Sequence, residues 1–216
     1  MRTITVKGIG SMTVPPDTVT VIIYLSCLDK VCETASQVTA DKTDEIRRIC
    51  RKFDFPESAL TTTDYTVKTE YEYDTPSGER VFVGFECRHT MYLEIPADIP
   101  VLTSLLSELS ESTAQPEVSL SFSVENEEEL KKKCLEAAAA DARERAEILS
   151  KASGVILGDL QTIRCTWESL HNTALTDFRM DLAPVGPGNA RLCKAPAITP
   201  GNIDVVENAE FVWEIK

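Results

Sequence analysis

The sequence is poor in the residues on which most site chemistry is built. It has only two histidines, His89 and His171, so a histidine-rich metal centre is excluded, and any Cys-His or Ser-His pair must use one of these two. Its seven cysteines are Cys27, Cys32, Cys50, Cys87, Cys134, Cys165 and Cys193, and no two form a C-x-x-C. That removes zinc-ribbon and thioredoxin-type motifs, whose sulfurs must converge from one turn. Positive charge is in deficit: 22 Lys and Arg against 35 Asp and Glu leave a formal net charge of -13. Such a chain repels phosphate backbones and anionic lipid surfaces, so nucleic acid is not an expected partner. No apolar run approaches the roughly 20 residues of a membrane-spanning helix, and no direct membrane insertion is expected. A secretion leader is missing too, since Met1-Arg2 runs straight into TITV. As written the chain is expected in the cytoplasm, where free thiols persist; trimming of a leader would make it periplasmic.

What is present is an ordinary globular composition, 43% hydrophobic over 216 residues. The expectation is a single domain over 1–216, with room for two lobes, 1–96 and 97–216. The stretch VKGIGSMTVPPD, residues 6–17, contains a G-x-G pair. A dinucleotide loop needs a third glycine and a helix whose N-terminus faces the pyrophosphate. Here Pro15-Pro16-Asp17 marks a turn into a second strand, so Gly8 and Gly10 mark a bulge or a close backbone approach.

Residues 3–14 and 18–28 read as strands, the second with Val19, Val21, Ile23, Leu25 and Cys27 on one face. Residues 31–53 read as a helix with Val31, Ala35, Val38, Ile46, Ile49 and Phe53 on its apolar side. A long hairpin follows. Tyr65, Val67, Tyr71 and Tyr73 share one face of its first arm, the turn falls near Thr75-Pro76-Ser77-Gly78, and Val81, Val83, Phe85, Cys87, His89, Met91, Leu93 and Ile95 share a face of the return arm. Asp98 is a candidate N-cap for a helix over 99–111, striped by Leu102, Leu105, Leu106 and Leu109. A strand over 118–124 leads to a long helix over 126–154. In that helix Asn126 and Glu129 have capping-box spacing, and three glutamates precede three lysines at i,i+4. Its apolar face is read as Leu130, Cys134, Ala138, Ala142 and Leu149, and Gly154 suits a left-handed C-terminal position. Residues 160–168 and 203–215 read as strands, and 169–202 as a long loop containing proline and glycine, of a length that is usually functional or disordered.

The order of elements and five local stretches resemble the SIMPL-domain family. The stretches are ITVKGIGSMTVPPDTVTV, TTTDYTV, VGFECRHT, VSLSFSVENEEELKKKCLEAAAADARERAEILSKASGV and ITPGNIDVVENAEFVWEI. The resemblance implies an α+β protein of a mostly bacterial envelope group, some of whose members assemble into rings or channel-like oligomers. It also implies links with oxidative-stress defence, bacterial immunogenicity and, in an animal relative, kinase signalling. It carries over no catalytic residue. The family glycines and the Pro-Asp turn map onto Gly8, Gly10, Pro16, Asp17 and Gly84 as structural positions. The missing leader and the cysteine content depart from the bacterial pattern.

The reactive groups each fit a plain structural role. His89 falls on an apolar strand face and reads as a hydrogen-bonded core histidine. His171 with Asp177 and Asp181 makes too sparse a ligand set for a metal site. Cys87 or Cys165 would need a histidine and an orienting group to act as a nucleophile. Asp64, Glu70, Glu72 and Asp74 recur every second residue or at multiples of it, a spacing compatible with paired carboxylates but usual for a solvated strand. The row Tyr65, Tyr71, Tyr73 reads as a packed ribbon face. Lys131–Lys133 are offset by Glu127–Glu129. The resulting expectation is an α+β protein with antiparallel sheet, order β-β-α-β-β-α-β-α-β-β, and no assigned catalytic, cofactor-binding or metal-binding set. Its leading function is that of a non-enzymatic structural or binding protein acting as a homo-oligomer. The rivals are a small-ligand protein or enzyme with 169–202 as a lid, and a cysteine-based redox sensor.

Overall fold

A computed structural model describes residues 2–73, 79–165, 178–180 and 198–216. The elements run β1 (Arg2–Val14), β2 (Thr18–Asp29), α1 (Cys32–Lys52), β3 (Leu60–Tyr73), β4 (Arg80–Pro96), α2 (Ile99–Glu111), β5 (Glu117–Ser123), α3 (Glu127–Ala152), β6 (Leu157–Cys165), β7 (Phe178–Met180) and β8 (Ile203–Ile215). This is the expected α+β order with one addition. Strand β7 lies inside the stretch read as loop, where three residues are too few for an alternation to show.

The chain divides into two compact units, and the cuts do not fall at 96/97. One unit holds 1–16, 123–174 and 201–216; the other holds 17–122 and 175–200. The reason is a pairing between the two ends of the sequence: β1 runs antiparallel to β8 from Arg2↔Ile215 to Val14↔Ile203.

In the first unit β8 is the middle of a three-stranded sheet, β1-β8-β6, and α3 packs on it. Helix α3 buries Cys134, Ala138, Ala142, Ala146 and Ser150, one small residue every four. The sequence assigned Leu149 to this face, but it is exposed, because the i,i+4 row continues through Ala146 and Ser150. A Cβ built on Gly8 would lie 1.9 Å from the Ala138 carbonyl oxygen, and one on Gly10 would lie 1.9 Å from that of Cys134. The G-x-G is therefore a notch for a helix. Asp141 accepts a hydrogen bond from the Ile9 amide at 2.9 Å, on the edge strand that α3 shields. The capping box closes differently from its usual form: the Asn126 amide donates to the Glu129 carboxylate at 3.1 Å, and its own oxygen caps no backbone group. Gly154, at φ +68°, ends the helix as its position requires.

The second unit has a five-stranded sheet ordered β3-β4-β2-β5-β7. Its β2-α1-β3-β4-α2-β5 connectivity with that spatial order is the split βαβ, or ferredoxin-like, arrangement. Its core is one cluster in which Val19, Val21, Ile23 and Leu25 of β2 and Met91, Leu93 and Ile95 of β4 meet Ile46 and Ile49 of α1. Leu102, Leu105, Leu106 and Leu109 of α2 and Val118, Leu120 and Phe122 of β5 complete it. Asp98 caps α2 through the Val101 amide at 3.1 Å. On α1 the buried row is Ala35, Thr39, Thr43, Ile46, Ile49 and Cys50, while Val31 precedes the helix and is exposed. Two threonines enter this face because each satisfies its hydroxyl on the preceding turn, Thr39 to Ala35 at 2.9 Å and Thr43 to Thr39 at 2.8 Å.

Candidate functional site

The most distinctive surface of the second unit is the long hairpin. Strands β3 and β4 pair from Leu60↔Leu93 to Tyr73↔Arg80, and at about 3.3 Å per residue β3 alone is about 45 Å long. The turn expected at 75–78 lies outside the described residues. Near its base the hairpin is covered: Cys87, His89, Met91, Leu93 and Ile95 are buried. Towards the tip cover runs out, and the register shifts between Glu70 and Tyr71, where Val83 is the extra residue. Val81 is exposed, and Val83 and Phe85 are half-buried, so the continuous apolar face expected of the return arm stops at Cys87. The tyrosine row is likewise not packed. Tyr65 is 50% exposed and Tyr73 72%.

The aromatic rings form a strip of two contact groups. Tyr65 meets the His89 ring edge-on at 5.5 Å, Tyr71 meets Phe82 at 5.9 Å, and Phe82 meets Phe85 at 5.3 Å. The Arg80 guanidinium lies 4.7 Å above the Tyr71 ring and 6.0 Å from that of Tyr73. Strand β3 is also the edge of the sheet among the described residues, so its outer backbone groups face no other strand.

His89 is held between the Thr43 hydroxyl at 2.8 Å on Nδ1 and the Thr62 hydroxyl at 2.9 Å on Nε2, and burial, with Arg47 nearby, lowers its pKa. It bridges α1 to β3 through these two hydroxyls. The sequence found His89 but not its partners; the i,i+4 spacing of Thr39 and Thr43 was the available signal. His171, Asp177, Asp181 and Asp74 lie outside the described residues. Asp64, Glu70 and Glu72 stand on exposed or half-buried positions of β3, and Asp64 accepts a hydrogen bond from the Thr66 hydroxyl at 3.1 Å. Among the described residues no three His, Cys, Asp or Glu side chains converge as metal ligands.

A cavity of about 210 Å³ opens where α1 meets the 3-10 turn Glu57–Ala59, lined by Arg47, Cys50, Arg51, Phe55, Pro56, Glu57 and Leu60. Burial pushes the Cys50 thiol up to about 11, so it is not a thiolate at neutral pH. Arg51 is bridged to Glu57 at 2.9 Å. The cavity offers a protonated thiol, the Arg51–Glu57 ion pair and the Arg47 guanidinium.

The model of a family described as SIMPL, protein of unknown function (DUF541), matches residues 4–213. The chain belongs to the SIMPL family. The match covers parts of both units and most of both strands of the β1–β8 pair, and the structure gives Gly8, Gly10 and Gly84 physical roles. Gly84 lets β4 pass the end of β2, since a Cβ there would lie 2.6 Å from the Asp29 carbonyl oxygen. No curated protein matches the chain. No helix among the described residues is long and apolar enough to cross a membrane.

Proposed function

We propose that this SIMPL protein is a non-enzymatic structural or binding protein that works as a homo-oligomer, with the β3 edge and the aromatic strip of the hairpin as its self-association surface. The observation carrying this reading is the strip itself: Tyr65, Val67, Tyr71, Tyr73 and Phe82 stand at least 41% exposed along the hairpin, beside an outer β3 edge that pairs with no second strand among the described residues. The partner is a second copy because β3 is complementary to itself. Antiparallel pairing of two β3 strands about Thr69 sets Lys68 against Glu70, Val67 against Tyr71 and Tyr65 against Tyr73. Such local complementarity is needed, since two chains of charge -13 repel one another overall. The SIMPL resemblance attaches a stress-response or envelope setting to this assembly, as part of the same proposal.

Multi-angle light scattering across the micromolar range tests it. The parent is expected to run as a multiple of 23.9 kDa. Lys68→Glu sets like charges opposite each other and is expected to give monomer, and the swap Lys68→Glu with Glu70→Lys is expected to restore assembly. A parent chain that stays monomeric throughout overturns the proposal.

A further inference from the structure

We propose that Cys27 and Cys87 form a reversible cross-strand disulfide when the protein meets a hydroperoxide. In the antiparallel pairing of β2 with β4, Cys27 and Cys87 are direct Cα partners, between Leu25↔His89 and Asp29↔Phe85. Directly opposed residues put both side chains on one face, with Cα atoms about 4.5 to 5.5 Å apart. That lies within the roughly 4.4 to 6.8 Å a disulfide spans, so the register already places the two backbones at bridging separation.

The two positions are unequal in a useful way. Cys27 is half-buried and reachable; Cys87 behind it is fully buried. The Tyr65 phenol lies beside Cys87, and that contact, followed by burial, raises the Tyr65 pKa, so the phenol keeps its proton next to the sulfur. Other described cysteines lack such a partner. Cys50 is buried away from the pair, Cys134 points its sulfur at the Val205 carbonyl at 3.5 Å, and Cys165 is exposed in the other unit. Cys32, the first residue of α1, is exposed and close enough to Tyr65 to influence it, which makes it the natural competitor.

The chemistry balances in two steps. The Cys27 thiolate attacks a peroxide oxygen, the O–O bond breaks, and an alcohol (water, for hydrogen peroxide) leaves Cys27 as a sulfenic acid. The Cys87 sulfur then attacks the Cys27 sulfur, the S–O bond breaks, and water leaves. Two thiols lose two protons and two electrons, and the hydroperoxide takes them up.

The test exposes reduced full-length protein to hydrogen peroxide, blocks free thiols, digests, and maps linked peptides by mass spectrometry. The expected product joins the Cys27 and Cys87 peptides, is lighter than the pair of thiols by two hydrogens, and disappears on treatment with dithiothreitol. Cys32→Ser, a change at an exposed site, is expected to leave that link intact, while Cys27→Ser removes it and leaves Cys87 alkylatable after denaturation. Linkage of Cys27 to Cys32 overturns the proposal, as does oxidation confined to Cys32 and Cys165 with both Cys27 and Cys87 still free.

Discussion

The two units solve the same packing problem, helix against antiparallel sheet, by opposite means. In the ferredoxin-like unit α1 and α2 present Ile46, Ile49, Leu102, Leu105, Leu106 and Leu109, all nearly inaccessible. Side chains of this size each contribute about 1.5 to 3 kcal/mol on full burial, so area supplies the stability. In the β1-β8-β6 unit α3 buries a cysteine, three alanines and a serine. Methyl-sized groups bury little, and the helix compensates by proximity: Gly8 and Gly10 let its backbone close on the sheet. On the strand side Phe211 and Trp213, stacked at 5.6 Å, supply the largest side chains, with Val6, Ile203 and Val205 beside them. A core built on area tolerates small errors of volume, whereas a core built on proximity has no slack where the backbones meet.

That contrast predicts where the molecule breaks. Gly8→Val is expected to have the largest effect of any single change, because its Cβ would overlap a helix carbonyl that no side-chain rotation can move. Urea titration with hydrogen exchange should show protection lost along β1 and α3. If even Gly8→Ala left the midpoint unchanged, the contrast would fail. Leu105→Ala in the other unit removes a fully buried side chain and should cost about 2 to 5 kcal/mol while leaving a folded protein. The comparison sharpens if the alanine variant merely shifts its transition and the valine variant abolishes one.

The same contrast explains what the sequence disclosed. The α2 stripe, the β2 face and the β8 alternation were legible because large apolar residues recur at the period of their element. The α3 face was partly misassigned to Leu149 because hydrophobicity ranks leucine above Ala146 and Ser150, although contact distance selects the smaller ones. Val31 was favoured over Thr39 and Thr43 for a related reason: a hydroxyl satisfied on its own helix counts as buried surface, and hydropathy does not record that. The exposed tyrosines alternate as any half-buried strand does, so the pattern identified the strand but could not show how far α1 reaches along it. The Cys27–Cys87 juxtaposition depends on a pairing register across 60 residues of sequence, and no local pattern encodes it.

The smallest predicted effect tests a buried polar link in the area-built unit. His89 is buried between Thr43 and Thr62 and titrates below its ordinary value near 6.5, chiefly because burial penalises the imidazolium. The unfolded chain then binds a proton at a higher pH than the folded one. Stability linked to His89 is therefore complete above pH 6.5, falls as pH drops from there towards the folded-state value, and levels off once both states are protonated. Folded-state carboxylates held low by ion pairs, such as Glu45 beside Arg48, lose their contribution at lower pH, below the ordinary Glu value near 4.5. Urea midpoints measured between pH 7.5 and 5 should accordingly decline for the parent protein. In His89→Gln, whose amide can still bond both threonines but cannot charge, that decline should be flatter. Equal slopes would mean that the ring binds its proton as readily in the folded as in the unfolded chain, and that its threonine partners do not hold the neutral ring as their distances imply.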